Sequence, residues 1–386
     1  MKGAVQVSVN PDVLKWARQT SGATYEDVAK RVRVPATAIA KWEMQVTPLS
    51  LTQLRELASY FKRPLAAFLL PEPPEEPPVP KDYRALPNGK GAFQRRTWFA
   101  IRKARRVQSA AKDLMHSLNR QAEPNISSAR LSDNPQEVAH DERKRLGIGI
   151  DKQWNWKNQY EALSEWRSAI EQLNILVFQL RMPVEDVRGF SLGDEHPFVI
   201  AISSSDAARA RIFTLFHEYA HLLLHNAGIC APGLDAQTEK KEARVEKWCN
   251  AFSGSFLIPA DALPQVPGPS KLKGQVLSTL LQETAGKFKV SEQVVLRRLL
   301  DAELVSQTSF NSEMDSLAAK ARRTKKGGGP VPPARRCLAE NGASFSSLVL
   351  EARNRGLLTY ADVSDFLDIR LKYLPEIESV LMARAA

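Results

Sequence analysis

Two histidines and a glutamate with the spacing of a zinc site lie within residues 213–224. His217 and His221 are four positions apart, so on a helix their imidazoles share one face and can bind one zinc ion. Glu218 directly follows the first histidine. In sites of this kind, that carboxylate takes a proton from the water that attacks a carbonyl group. The spacing therefore predicts metal-assisted hydrolysis.

The elements that must position this motif are a helix and a strand. Phenylalanines and leucines surround the motif, and the apolar run 198–202 just upstream is typical of a buried strand. A catalytic metal is best held on rigid, buried elements of this kind. The same pattern also fits a structural helix whose two histidines make hydrogen bonds inside the core, so the motif alone leaves both interpretations open.

A catalytic zinc ion needs a third protein ligand and one open coordination position. His225 lies about 12 Å along the helix from His217, which is too far for both to bind one ion. A second helical pattern follows at residues 242–259 and places Glu246 and Asn250 on one face. From there Glu246 can reach the metal, while Asn250 supports the free nitrogen of a ligand histidine. The alternative is that Glu246 is a solvated residue in a charged run.

A stabiliser for the substrate carbonyl oxygen is also needed, because charge develops on that atom during hydrolysis. Tyr219 and His225 are the nearest donors in the sequence. Tyr219 points away from the ligand face of the helix, so we rank His225 above it as the candidate oxyanion stabiliser.

The two helical segments together resemble the ImmA/IrrE family of zinc metallopeptidases. The resemblance rests on residues 211–225, on the pattern Glu246-x-x-x-Asn250-Ala-Phe and on Phe256-Leu-Ile-Pro259, and it is strong over about 190–260. It implies that zinc is the cofactor and that Glu218 is the general base. It also implies that the metal ligands are His217, His221 and Glu246.

The composition is that of a globular protein of two or three domains. The chain has 386 residues with 43% hydrophobic and 25% charged residues, and it contains no apolar run long enough for a membrane span and no signal-peptide core. We therefore expect a cytoplasmic protein whose three cysteines are reduced thiols. A net charge of +11 favours an anionic partner, with nucleic acid as the first choice.

The first seventy residues read as short helices separated by turns. Asn10 before Pro11 is an N-cap signal, and Thr24 with Asp27 forms a pair that resembles a capping box. A third helix is expected over 35–42. This arrangement indicates either a small helical bundle or a helix-turn-helix. In the second case the residues expected to contact DNA are Ala36, Thr37, Ala38 and Lys41.

The same seventy residues resemble the phage-repressor (XRE) type of helix-turn-helix domain. The likeness rests on residues 10–18, on Trp42-Glu43 and on the leucines of 51–58, and residues 62–71 are similar to the segment that follows this domain in fusions with ImmA/IrrE peptidases. Met44-Gln45-Val46 stands where the family usually has a glycine. DNA binding is the function that the resemblance implies.

The rest of the chain divides by composition. We expect the helix-turn-helix domain at 1–70, a proline-rich linker at 71–80, the peptidase domain at 81–305, a second linker at 306–340 and a helical region at 341–386. Residues 81–120 hold eleven lysines and arginines but only two aspartates, so their basic face either contacts phosphates or is solvated. The predicted fold is α+β and mostly α, with strand 198–202 as the candidate edge strand for substrate.

The predicted function is that of a zinc endopeptidase fused to a DNA-binding domain. The resemblance implies a protein substrate that is often a repressor, whose cleavage changes transcription. An alternative is a regulator that cuts nothing, in which the peptidase-like domain senses a ligand or a partner, as in an antitoxin-like protein. A homodimer is the default expectation for a helix-turn-helix protein.

Overall fold

The computed structural model describes residues 5–75, 83–85, 93–225, 236–263, 274–323 and 331–385. It divides the chain into two compact units, the first made of Met1–Val79 and Ala85–Lys103 and the second of Pro80–Arg84 and Ala104–Ala386. Helices dominate both units and two small sheets accompany them, so the predicted α+β, mostly α class is confirmed. Among the helices of the described ranges, none combines the length and the apolar content needed to cross a membrane.

The first unit is a small helical domain with a two-stranded sheet. Its elements are β1 (Gln6–Val9), α1 (Pro11–Gln19), α2 (Tyr25–Val32), α3 (Ala36–Trp42), β2 (Thr47–Ser50), α4 (Leu51–Phe61) and a short 3₁₀ helix (Leu65–Leu69). The side chain of Asn10 accepts a hydrogen bond from the Asp12 amide, and Thr24 and Asp27 form a capping box, so both predicted helix starts are confirmed. The antiparallel pairing of β1 with β2 was not predicted.

A bidentate ion pair fixes the first helix to the end of the third. Arg18 Nε and Nη2 donate to the two carboxylate oxygens of Glu43 at 2.7 and 2.8 Å, and the Arg18 guanidinium lies 4.1 Å from the centroid of the Tyr25 ring. Glu43 is buried, so its charge depends on this partner. The pair explains why a glutamate follows Trp42.

Residues 93–103 also belong to the first unit, although we predicted them in the peptidase domain. Trp98 packs at Gly22, where an added Cβ would lie 2.6 Å from Trp98 Cδ1, and Gly22 has a φ of +59° that favours glycine. The helix α5 (Arg95–Ser117) is divided after Lys103, and its remaining residues count with the second unit.

The second unit is a helical domain around one mixed sheet. Its elements before the C-terminal region are β3 (Tyr83–Ala85), α6 (Pro135–Arg145), α7 (Ile150–Asn155), α8 (Gln159–Glu171), β4 (Ile175–Leu180), β5 (Val187–Leu192), β6 (Phe198–Ser203), α9 (Ala208–His225), α10 (Ala236–Leu257), α11 (Gly274–Phe288) and α12 (Glu292–Asp301). The sheet order is β3, β5, β6, β4. Among the described residues, apolar side chains from one face of β4 and β6 and from helices α8 to α12 belong to one core.

Strand β6 does not lie at the edge of the sheet. It pairs in parallel with β4, where Phe198 is opposite Ile175, and antiparallel with β5, where Val199 is opposite Leu192. Both sides of its backbone are therefore occupied, and the prediction that residues 198–202 hold substrate as an edge strand is wrong. The run is wholly buried for the same reason, because it is an interior strand.

The segment 306–340, which we predicted to be a linker, contains two helices. Helix α13 (Gln307–Arg323) packs on α12 and adds Leu317 to the main core, and α14 (Pro333–Asn341) begins the C-terminal region. The tail continues as α15 (Ala343–Asn354), α16 (Tyr360–Leu367) and α17 (Leu374–Ala385), in agreement with the predicted helical character.

A buried ion pair ties the C-terminal helices to the sheet. Arg167 of α8 pairs with Glu171 at 2.9 Å and donates to the carbonyl oxygens of Leu338 and Val177. Glu171 in turn accepts a hydrogen bond from the Ser344 amide at 3.2 Å. The C-terminal helices are therefore part of the core structure of this unit.

The basic residues of α5 that belong to the second unit contact protein groups. Arg105 pairs with Asp194 at 2.5 Å and Lys112 pairs with Glu195 at 3.0 Å. The buried Gln108 between them donates to the carbonyl oxygens of Glu195 and Pro197. This part of the basic segment thus binds the β5–β6 connection, which neither of the two predicted roles described.

Candidate metal centre

Helix α9 carries the motif in the most buried part of the second unit. His217 and Glu218 are 0% exposed and His221 is 1% exposed. The helix packs on strands β5 and β6 on one side and on helices α8 and α10 on others, so apolar residues are needed all round it. The predicted burial of the motif is therefore present in the structure.

Three of the predicted site residues come together. The Nε2 atoms of His217 and His221 lie 3.2 Å apart, and the Glu246 carboxylate is 3.2 Å from each of them, through Oε2 to His217 and through Oε1 to His221. All three candidate ligand atoms lie within 4.8 Å of one another. Glu246, which follows His221 by 25 positions and His217 by 29, thus meets both histidines at one point.

Helix α10 brings Glu246 to the histidines because it packs along α9 and against α6. Trp248 anchors it by donating from Nε1 to the Asp133 carbonyl oxygen at 2.9 Å, and Trp248 stacks on Phe252 with ring centroids 5.6 Å apart. The Glu246 side chain is 39% exposed while both histidines are buried. Among the three candidate ligands, the glutamate is thus the one that faces solvent.

The ionisation of Glu246 suits a metal ligand. Burial opposes its charge, but the hydrogen bonds and the charges of His217 and His221 outweigh burial and hold the pKa of the Glu246 carboxyl well below its ordinary value. Glu246 is therefore an anionic oxygen donor at neutral pH, which is the form that binds metal.

The donor set fits zinc. Zinc in proteins is bound tetrahedrally by histidine nitrogen and carboxylate oxygen at about 2.0–2.2 Å, which places neighbouring ligand atoms about 3.3–3.6 Å apart. The observed separations of 3.2 Å are close to this spacing. Two imidazoles and one carboxylate also make a three-ligand set, which leaves a tetrahedral ion one position for water or substrate.

Glu218 lies outside this group of three and faces strand β5. Its Oε2 atom accepts a hydrogen bond from Ser191 Oγ at 3.2 Å, and both residues are buried. Gly189, two positions earlier on the strand, lets the helix approach closely, since an added Cβ would be 3.2 Å from Glu218 Cγ and 2.5 Å from Thr214 Cγ2. Our sequence reasoning missed Ser191, and an isolated serine in a short strand gave no signal for it.

Tyr219 points away from the metal ligands, as the helix geometry predicted. Its hydroxyl donates to Glu142 of α6 at 2.5 Å and accepts from Arg145 at 2.9 Å, while Ser127 also donates to Glu142. Burial first, and then the charge and hydrogen bond of Glu142, raise the pKa of Tyr219 well above its ordinary value. This hydroxyl is therefore a neutral structural group that joins α9 to α6.

Two other predicted site residues, Asn250 and His225, are not tested by the structure. Asn250 is half-buried on α10, and within the described residues it makes no hydrogen bond to His217 or His221. His225 is the last residue of α9, and its side chain lies outside what the structure describes. The two remain predictions as the supporting amide and the oxyanion stabiliser.

The residues predicted to contact DNA lie on α3 in the first unit. Thr37 and Lys41 are exposed, whereas Ala36 and Ala38 are half-buried and Ala36 packs against the core. Thr37 and Lys41 are four positions apart, so they share one exposed face of the helix.

Comparison with known families finds a match for two segments of the chain. Residues 170–300 match the family model described as the IrrE N-terminal-like domain, and residues 14–68 match the helix-turn-helix model. The suspected fusion is thereby confirmed as a helix-turn-helix domain joined to an IrrE-like, metallopeptidase-like domain. Neither the curated proteins nor the solved structures gave a match to the chain.

Proposed function

From a chain that joins a DNA-binding helix-turn-helix domain to an IrrE-like domain, we propose a zinc-dependent endopeptidase that cleaves a regulatory protein, such as a repressor, to control transcription. The observation that carries this proposal is the convergence of two buried imidazoles and one carboxylate with separations of 3.2 Å. A purely structural helix would need no such arrangement of three electron-pair donors around one point.

The residues take separate roles in this proposal. His217, His221 and Glu246 would hold a zinc ion. Zinc bound there would supply a Lewis acid that polarises the scissile carbonyl group and makes water a stronger nucleophile. Glu218 accepts the proton from the attacking water and returns it to the leaving amine. The Ser191 hydroxyl orients Glu218 by hydrogen bonding to one of its two oxygens.

The metal site is tested first by measuring zinc in the purified protein. We expect about one zinc per chain, lost in Glu246→Ala and retained in the matched control Lys247→Ala, whose exposed side chain is the next on the same helix. Asn250→Ala should weaken zinc binding by about tenfold if Asn250 supports a ligand histidine. Wild-type protein without metal, or unchanged zinc in Glu246→Ala, would refute the ligand assignment.

The peptidase activity is tested in cells by comparing protein N-termini. Cells that express the wild type should contain new N-termini that are absent in cells expressing Glu218→Gln, because the amide cannot accept the proton. Glu218→Gln should retain its zinc, which separates loss of chemistry from loss of the site. If Glu218→Gln preserves the transcriptional response and no N-terminus differs, the protein is a sensor that cuts nothing.

A further inference from the structure

A basic cleft lies in the first unit between the end of α4 and the start of α5. It has a volume of about 480 Å³, and its lining residues are Lys62, Gln94, Arg95, Arg96 and Phe99. Three of these five carry a positive charge and none carries a negative one. The cleft involves neither the residues predicted to contact DNA nor the candidate metal ligands.

Three cations surround a single aromatic ring at this cleft. Lys62 Nζ lies 5.0 Å from the centroid of Phe99, and the guanidinium carbons of Arg95 and Arg102 each lie 4.8 Å from it. No two of them are therefore more than about 10 Å apart, which is about the Debye length at 0.1 M salt. Their mutual repulsion is only partly offset by the ring, because cation–π contacts at exposed sites are weak.

Three cations that line the cleft have no acidic partner in the part of the chain that the structure describes. Within the described residues, neither Lys62 nor Arg95 nor Arg96 forms an ion pair with an acidic side chain, although other basic residues of this unit do, such as Arg18 and Arg31. Arg95 is held in place by its guanidinium over the Tyr60 ring, 3.6 Å from the centroid, and by donating to the Tyr60 carbonyl oxygen. The charge of Arg95 is thus held in position before any ligand binds.

The N-terminal end of helix α5 adds to the positive electrostatic potential of the cleft. Helix α5 is 23 residues long and begins at Arg95, and its first turn contains no acidic residue. The N-terminal end of a helix carries a partial positive charge, which favours an anion nearby. The helix end, the side chains of the cleft and its concave shape thus all favour an anionic ligand.

We propose that this α4–α5 cleft binds phosphate groups. Guanidinium and ammonium groups bind phosphate oxygens through charge-assisted hydrogen bonds, and several cations close together favour a ligand with more than one phosphate. The cations occupy the surroundings of Phe99, so the cleft recognises charge rather than a stacked base. The phosphates come either from a free phosphorylated small molecule or from the backbone of the DNA that the domain binds.

The experiment is calorimetric titration of the full-length, zinc-loaded protein with inorganic tripolyphosphate and, separately, with duplex DNA. The cleft variant is Lys62→Gln with Arg96→Gln, and it spares Arg95, which packs on Tyr60. The matched control is Lys15→Gln with Arg55→Gln, which removes the same charge from exposed residues of the same unit outside the cleft. Lys62→Arg with Arg96→Lys keeps the charge and shows whether any loss comes from misfolding.

We expect the cleft variant to bind tripolyphosphate at least tenfold more weakly than the wild type, while the control and the charge-preserving variant stay within about twofold. If the DNA backbone is the source, the cleft variant also loses about tenfold in DNA affinity and the slope of log K against log salt falls by about two. If a free ligand is the source, DNA affinity changes no more than in the control. The proposal is overturned if the wild type does not bind tripolyphosphate, or if the cleft variant and the control weaken equally.

Discussion

Gly189 is the position at which one added methyl group should disturb the contact between strand β5 and the motif helix α9. In Gly189→Ala the new Cβ would lie 2.5 Å from Thr214 Cγ2 and 3.0 Å from the Ala201 carbonyl oxygen. Neither is the free end of a flexible side chain, because Thr214 is β-branched and buried and the other atom belongs to the backbone of β6. The strand or the helix must therefore shift.

The size of the effect is the difference between two contributions. Overfilling a packed core costs about 1–3 kcal/mol. Replacing glycine by alanine also restricts the unfolded chain, which stabilises the protein by about 0.4–1 kcal/mol where the backbone conformation suits alanine, as it does at a glycine without positive φ. We expect a net loss of about 1.3 kcal/mol in the free energy of unfolding, which is the difference between the middle values of the two ranges.

The control is Gly193→Ala, just beyond the same strand. Its Cβ would meet only the terminal Cδ2 methyl of Leu222, at 3.0 Å, and this methyl can move by a rotamer adjustment. Its free energy of unfolding should stay within about 0.5 kcal/mol of the wild type, because only the end of a flexible side chain has to move by a few tenths of an ångström. The two variants add the same atom and both meet a side chain of α9, so their difference measures how much more tightly the helix packs at Gly189 than at Gly193.

The assay is urea denaturation followed by far-UV circular dichroism, with a rescue variant. Thr214→Ser removes the Cγ2 methyl but keeps the hydroxyl, so Gly189→Ala with Thr214→Ser should recover stability relative to the sum of the single changes, with a coupling of about 0.5–2 kcal/mol. Equal stability of Gly189→Ala and Gly193→Ala, or strictly additive effects in the double variant, would refute the close packing of strand and helix.

Three further changes test other contacts. Ser191→Ala should lower the rate of peptide cleavage by about tenfold without changing zinc content, because the general base loses a hydrogen bond of about 1.5 kcal/mol; an unchanged rate would exclude the orienting role. Tyr219→Phe should destabilise the fold by about 1–3 kcal/mol in the same denaturation assay while zinc remains bound, since the buried Glu142 carboxylate loses one of its three donors. Gly342→Ala should be more destabilising than Gly356→Ala. Both glycines have positive φ, but an added Cβ meets the Glu171 carboxylate oxygen, at 2.3 Å, only at Gly342. Equal losses of stability would contradict this packing.

The local structure around the motif was predictable from the sequence because its causes are local. The helix with His217 and His221 on one face follows from apolar periodicity and from the fixed rise of a helix. The helix starts at Asn10 and Thr24 follow from side chains that bond to amides two or three residues away. In each case a few neighbouring residues determine the outcome.

Contacts between distant segments of the chain could not be predicted from the sequence. The hydrogen bond from Ser191 to Glu218 depends on which strand lies beside α9, and the sequence pattern suggested β6 as the substrate edge although β6 is interior. Likewise, we predicted a linker at 306–340 because the run 322–336 is charged and rich in glycine and proline, and only the packing of the helix at 307–323 on α12 shows that Leu317 is buried.

Glu246 shows most clearly what the sequence determined and what only the tertiary structure decided. The sequence placed it one turn from Asn250 on a charged helix, and the charge pattern by itself favoured a solvated role. The family resemblance pointed to a ligand, and the packing of α10 on α9 brings the carboxylate within 3.2 Å of both imidazoles. Residue type determined what Glu246 can bind, whereas the tertiary structure decided what lies beside it, because that depends on packing between segments far apart in the chain.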